Sequence, residues 1–152
     1  MDAIDRRIIR AVQRDGRITV SDLAETVGLS PTPCARRLER LQKDGVITGY
    51  GARVDARKLG LPVTIFVSVE LEQQGREAIG AFEQAVRHFE EVMECYLMTG
   101  SRDILLRVVA ADLEAFDAFL EHRLMKVPGI RNMRSNFALR AMVRRDVLPD
   151  PG

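Results

Sequence analysis

Residues 29–45 read LSPTPCARRLERLQKDG. Two prolines stand in front of a basic stretch that otherwise has helical periodicity. Pro31 fits the first position of a helix, where its fixed φ is already helical and the missing N–H would have had no intrahelical partner. Pro33, at the third position, removes a second orphan donor. Ser30 is then the N-cap, and the Thr32 N–H is the donor left for its side chain. At about 100° per residue, Cys34, Leu38 and Leu41 fall within roughly 60° of one another. Thr32, Pro33, Arg36, Arg37, Arg40 and Lys43 spread over a contiguous arc of about 140° on the other side. One face is suited to a core and the other is cationic, and Gly45 ends the helix.

Upstream, TVSDLAETVG (residues 19–28) predicts a helix of about eight residues. Thr19 is its N-cap, Asp22 lies at its third position, Leu23, Ala24 and Val27 form its apolar stripe, and Gly28 closes it. Before it, Ile4, Ile8, Ala11 and Val12 recur at helical spacing and leave Arg6, Arg7, Arg10 and Arg14 toward water, so residues 3–15 form an amphipathic helix. Downstream, VITGYGARV holds two short β-like runs around Thr48-Gly49, a small hairpin or wing. A short helix, a tight Gly28-Leu29-Ser30 turn and a third helix with a basic outer face predict a winged helix-turn-helix over residues 1–54.

The segment DARKLGLP (residues 55–62) reads as a linker. Beyond it the period changes to two: Val63, Ile65, Val67, Val69 and Leu71 alternate with more polar neighbours, as in a strand with one face in a core. A helix carrying Ile79, Phe82, Val86 and Phe89 follows, then the runs VMECYLMT and DILLRVVA joined through Gly100-Ser101-Arg102. A second helix carries Leu113, Phe116, Leu120 and Leu124, and VPG precedes a final strand from about Ile130 to Arg145. The order βαββαβ predicts a ferredoxin-like domain over residues 63–152, making the chain an α+β protein.

Composition bounds the function. The 152 residues are 46% hydrophobic and 30% charged, as in a globular protein. No apolar run approaches the roughly 18–20 residues that span a bilayer, and the charged N-terminal stretch is unlike a signal peptide, so we expect a cytoplasmic protein with no membrane partner. Cys34 and Cys95 are then expected to be reduced thiols. The net charge of +1 hides an asymmetry: residues 1–58 hold twelve Lys+Arg against eight Asp+Glu, and residues 59–152 hold eleven against fourteen. A basic front half suits a polyanion.

Enzymatic constellations are poor. His88 and His122 have no second ligand at metal spacing, the Glu90-Glu91 pair diverges at a helix end, and neither a phosphate loop nor a nucleophile elbow occurs, so we expect no metal, no cofactor and no catalysis. The basic arc is better suited to double-stranded DNA, with Arg36, Arg37 and Arg40 as the expected groove contacts and Thr32 and Pro33 at the leading edge. Arginine reads the O6/N7 edge of guanine with two hydrogen bonds, and the major groove admits one helix. The alternative is a solvated helix face, which the neighbouring short helix, tight turn and hairpin disfavour. At TGSRDILL, the Gly-containing turn and Asp103 could together hold the two ends of an α-amino acid, although an ordinary β-hairpin would use the same residues.

The stretches IDRRII, DGRITVSDLAETVGLSPTPCARRLERLQKDGVITGY, KLG, MECYLMTGSRDILLRV and VPGIRNMRSNFAL resemble the Lrp/AsnC family of transcription regulators, almost end to end. The resemblance implies a third helix that reads the major groove and a second domain that binds an amino-acid effector and assembles as dimers, often as tetramers or octamers. On matching positions it points to Met98, Gly100, Asp103 and Ile104, with Ser135 on the last strand, at an interface between adjoining second domains. Where the family usually has Asp-Tyr, this chain has Asp103-Ile104. The run EVMECYLMTG is similar to members that control branched-chain keto-acid or other amino-acid catabolism. These readings together predict a sequence-specific regulator of amino-acid metabolism. The rival is a metabolite-binding regulatory subunit acting through protein contacts.

Overall fold

The computed structural model describes residues 1–99 and 104–150. The chain divides into two compact units: Met1–Arg53 together with Met142–Gly152, and Val54–Ala141.

The first unit holds α1 (Ala3–Arg14), α2 (Val20–Val27) and α3 (Pro31–Lys43). Asp2 starts α1 by accepting the Ile4 and Asp5 N–H groups, while the Asp5 side chain accepts the Asp2 N–H, a reciprocal capping box. Thr19 caps α2 through the Asp22 N–H at 3.1 Å, as its sequence predicts. Gly28 follows with φ +73°, a left-handed conformation costly for residues with a Cβ, and so turns the chain directly into α3. Ser30 is the extended residue before α3, but its side chain makes no capping bond. Instead its carbonyl accepts the Cys34 N–H at 3.2 Å, the first donor beyond Pro33. Two fixed φ angles already hold this turn, and exposed Ser30 and Thr32 can bond to water. The stripes meet in a core of Ile8, Val12, Leu23, Ala24, Val27, Cys34 and Leu41.

Two expectations change in this unit. Residues 46–54 contain no strand, so the wing is not a paired hairpin. Ile47 packs on the helical core and the Tyr50 hydroxyl accepts from Gln42 Nε2 at 3.0 Å, so side chains rather than backbone ladders anchor the segment. The final strand also stops at Ala138, not near Arg145. From Met142 onward the chain packs within the helical unit. There the Leu148 N–H donates to Gln13 Oε1 at 2.8 Å, while Asp146 and Asp150 approach Arg53 and Arg6 at 3.4 and 3.5 Å.

The second unit begins with the hydrogen-bonded turns of residues 55–61, more ordered than a bare linker. Its elements are β1 (Val63–Leu71), α4 (Arg76–Val86), β2 (Val92–Leu97), β3 (Ile104–Ala110), α5 (Leu113–His122), a short 3-10 turn (Leu124–Lys126) and β4 (Ile130–Ala138). The strands form an antiparallel sheet in the order β2-β3-β1-β4. Alternation places Ile65, Val67, Val69 and Leu71 beside Ile104, Leu106 and Val108 on one face, which Phe82 and Val86 of α4 and Phe116 and Phe119 of α5 cover. The opposite face carries Phe66, Ser68, Glu70 and Arg107. This is the βαββαβ sandwich that the change of period predicts.

Candidate nucleic-acid interface and effector region

Every residue of the predicted basic arc lies on α3, yet the structure sorts them into two groups. Thr32, Pro33, Arg36 and Lys43 are exposed, and neither Arg36 nor Lys43 makes an ion pair among the described residues. Arg37 is turned toward α1, where its Nη1 donates to Asp2 Oδ2 at 2.6 Å and to Asp5 Oδ1 at 2.8 Å. Arg40 Nη2 donates to Asp5 Oδ2 at 2.8 Å while about half of its side chain remains exposed.

Asp5 is the single buried charged side chain among the described residues, 1% exposed. Burial pushes its carboxyl up, but the Asp2 N–H, Arg37 and Arg40 together outweigh this and hold it below the usual aspartate value. The Asp5 N–H and then Arg37 hold Asp2 down to about 2. The carboxylates of Asp2 and Asp5 push the Arg37 guanidinium further up. Periodicity gave no sign of this cluster. Its local signal was the Asp2-x-x-Asp5 spacing ahead of an apolar run, a capping pattern; its partners, more than thirty residues away, had none.

The effector candidates are placed less completely. Gly100 and Asp103 lie outside the described residues. Met98 follows β2 and is 44% exposed. Ile104 opens β3 and is 2% exposed; it packs on its own domain's core and lines a cavity with Met93, Cys95 and Leu97. Ser135 sits on β4 opposite Val67, on the helix-covered side of the sheet. Since β2 and β4 are the two outer strands, β3 and β1 separate Met98 from Ser135, and one small ligand cannot touch both within a chain. Both cysteines are unpaired, Cys34 buried and Cys95 exposed, and burial pushes the Cys34 thiol up.

A proline-started basic helix on a helix-turn-helix, joined to a ferredoxin-like domain, defines a DNA-binding regulator with a separate ligand-binding module. A family model matches most of each unit. The winged helix-turn-helix DNA-binding profile matches residues 1–48, and the Lrp/AsnC ligand binding domain matches residues 64–148. The Bkd operon transcriptional regulator of Pseudomonas aeruginosa is 43% identical over 149 residues, covering 98% of this chain and 97% of its own. The leucine-responsive regulatory protein of Escherichia coli is 37% identical over 135 residues, covering 89% and 82%. Among solved structures, an AsnC family transcriptional regulator from Agrobacterium tumefaciens superposes with a TM-score of 0.93 at 42% identity, covering 98% and 97%. A transcriptional regulator from Neisseria meningitidis in complex with L-Met also gives 0.93, at 32% identity, covering 98% and 96%. The chain belongs to the Lrp/AsnC family: it is a DNA-binding transcriptional regulator with a ligand-binding domain, and not an enzyme.

Proposed function

We propose that this protein is a cytoplasmic homo-oligomer that controls genes of amino-acid metabolism by laying α3 in the major groove and changing its assembly or DNA geometry when an amino acid binds. The observation that carries this reading is the outward arc of α3, with Thr32 and Pro33 at its leading end and Arg36 and Lys43 exposed. One small helix-turn-helix makes few base contacts. Pairing two of them on successive turns of DNA, about 34–36 Å apart, is the physical route to tight specific binding. The effector residues Met98, Gly100, Asp103 and Ser135 would then come together between subunits, because within one chain Met98 and Ser135 belong to opposite sheet edges. Ile104 joins this set from the start of β3, where it lines a cavity with Met93, Cys95 and Leu97. A leucine-responsive relative and an L-Met complex support an apolar amino acid as the ligand. A ligand shifts an assembly equilibrium only by binding one state better than the other.

The test is electrophoretic mobility of the DNA upstream of the protein's own gene at several salt concentrations, with and without leucine, isoleucine, valine and methionine. A regulator retards this DNA, with affinity falling steeply as salt rises, and one of the amino acids alters the pattern. A thermal-shift screen of the twenty amino acids gives the ligand independently, since a ligand at one hundred times its dissociation constant adds about 2.7 kcal/mol. Amino-acid binding without any DNA retardation would favour the rival, a regulatory subunit acting through protein contacts.

A further inference from the structure

We propose that the arginines of α3 divide their work: Arg37, with help from Arg40, ties α3 to α1 through the buried Asp5, and Arg36 is the arginine that reads bases. Asp5 is thus a positioning residue for DNA recognition. This rests on the reading of the chain as a groove-binding regulator and assigns the roles within it.

Two independent observations carry the division. The first is the angular position along the helix. At about 100° per residue, Arg37 lies about 40–60° from the buried Cys34 and Leu41, whereas Arg36 lies about 140–160° from them. Arg37 therefore borders the core and Arg36 points away from it, in accord with their intermediate and exposed environments. The second is bonding. Arg37 bridges Asp2 and Asp5 at 2.6 and 2.8 Å, and Asp5 has no access to water that would replace a lost donor. To read guanine, an arginine must present two N–H groups to the O6/N7 edge. Turning Arg37 to a base would break charge-assisted bonds to a buried carboxylate, which are roughly twice as strong as neutral ones. The carboxylates of Asp2 and Asp5 also offset the charges of Arg37 and Arg40 locally, so the positive field over the groove-facing arc comes from Arg36 and Lys43.

The experiment uses the full-length protein. A duplex enriched by the wild type from a random library is compared with a scrambled duplex of the same composition, by fluorescence anisotropy, and the thermal midpoint of each variant is recorded. Arg36→Ala is expected to cut the preference for the enriched duplex by about 5- to 150-fold with an unchanged midpoint. Arg37→Ala is expected to lower the midpoint while the preference stays within about twofold; Arg37→Lys, which retains a donor and the charge, restores part of the midpoint. Asp5→Asn is expected to lower the midpoint as Arg37→Ala does and to weaken binding to both duplexes. A loss of preference in Arg37→Ala or Arg37→Lys as large as in Arg36→Ala overturns the division, as does an unchanged preference in Arg36→Ala. If the wild type enriches no duplex, the regulator reading itself fails; enrichment followed by either reversal sinks the division alone.

Discussion

The sheet domain buries fourteen apolar side chains in one cluster and no charged one among the described residues, whereas the helical unit buries seven apolar side chains beside the carboxylate of Asp5. Size explains part of the contrast. A small unit leaves a larger fraction of its surface in water, so three short helices gather less apolar area than a four-stranded sheet with two covering helices. The helical unit adds a buried ion-pair cluster joining α1 to α3, and a C-terminal segment that lines a cavity together with Ile9, Val12 and Tyr50. One unit is thus held mainly by continuous hydrophobic burial and the other partly by charge. Acid is expected to act on them unequally.

The largest loss of stability is expected from the core of the sheet. Leu106→Ala, at a fully buried site in the middle of β3, is expected to cost about 2–5 kcal/mol, read by urea unfolding. A cost near zero would mean that apolar burial is not what holds this domain. Next comes Asp5→Ala, expected to destabilise the protein by about 1–3 kcal/mol through loss of its charged hydrogen bonds to Arg37 and Arg40. Acid sharpens the same point. Asp2, at about 2, and Asp5, also lowered, hold a proton less readily in the folded protein than in the unfolded chain, where carboxyls titrate near about 4. Their stabilisation is complete above that value and is lost as pH falls toward about 2. The wild-type thermal midpoint should drop across this window, and that of Asp5→Asn should drop less. The smallest effect is expected from Arg87→Ala, which removes an exposed i,i+4 pair with Glu83 on α4; it should change stability by less than about 0.5 kcal/mol.

What could be read in the sequence was whatever depends on neighbours along the chain. The caps of α2, the proline start of α3, the glycine turn at Gly28 and the change of period at Val63 are all set within a few residues, and each is in place. What escaped depends on residues brought together from afar. Arg37 meets Asp5 across 32 positions and Leu148 meets Gln13 across 135, and no local pattern encodes either pairing. A subtler gap concerns Ser30. Its capping bond was inferred from the donors left available, but the prolines themselves supply the rigidity a cap would have given. For the effector region, the sequence could propose a set of residues from resemblance but could not tell which side chains face a ligand. Burial of Ile104 in its own core comes from strand register, which becomes visible only once β1 and β3 are paired.

The return of the C-terminal segment to the helical unit reverses the order in which the two halves are completed during translation. A chain synthesised as far as Ala141 contains every residue of the sheet unit, but Asp146, Leu148 and Asp150 are still to come. The half that is translated first is finished last. Premature termination just after the sheet would leave a helix-turn-helix without the bonds that Leu148 and Asp150 make to Gln13 and Arg6.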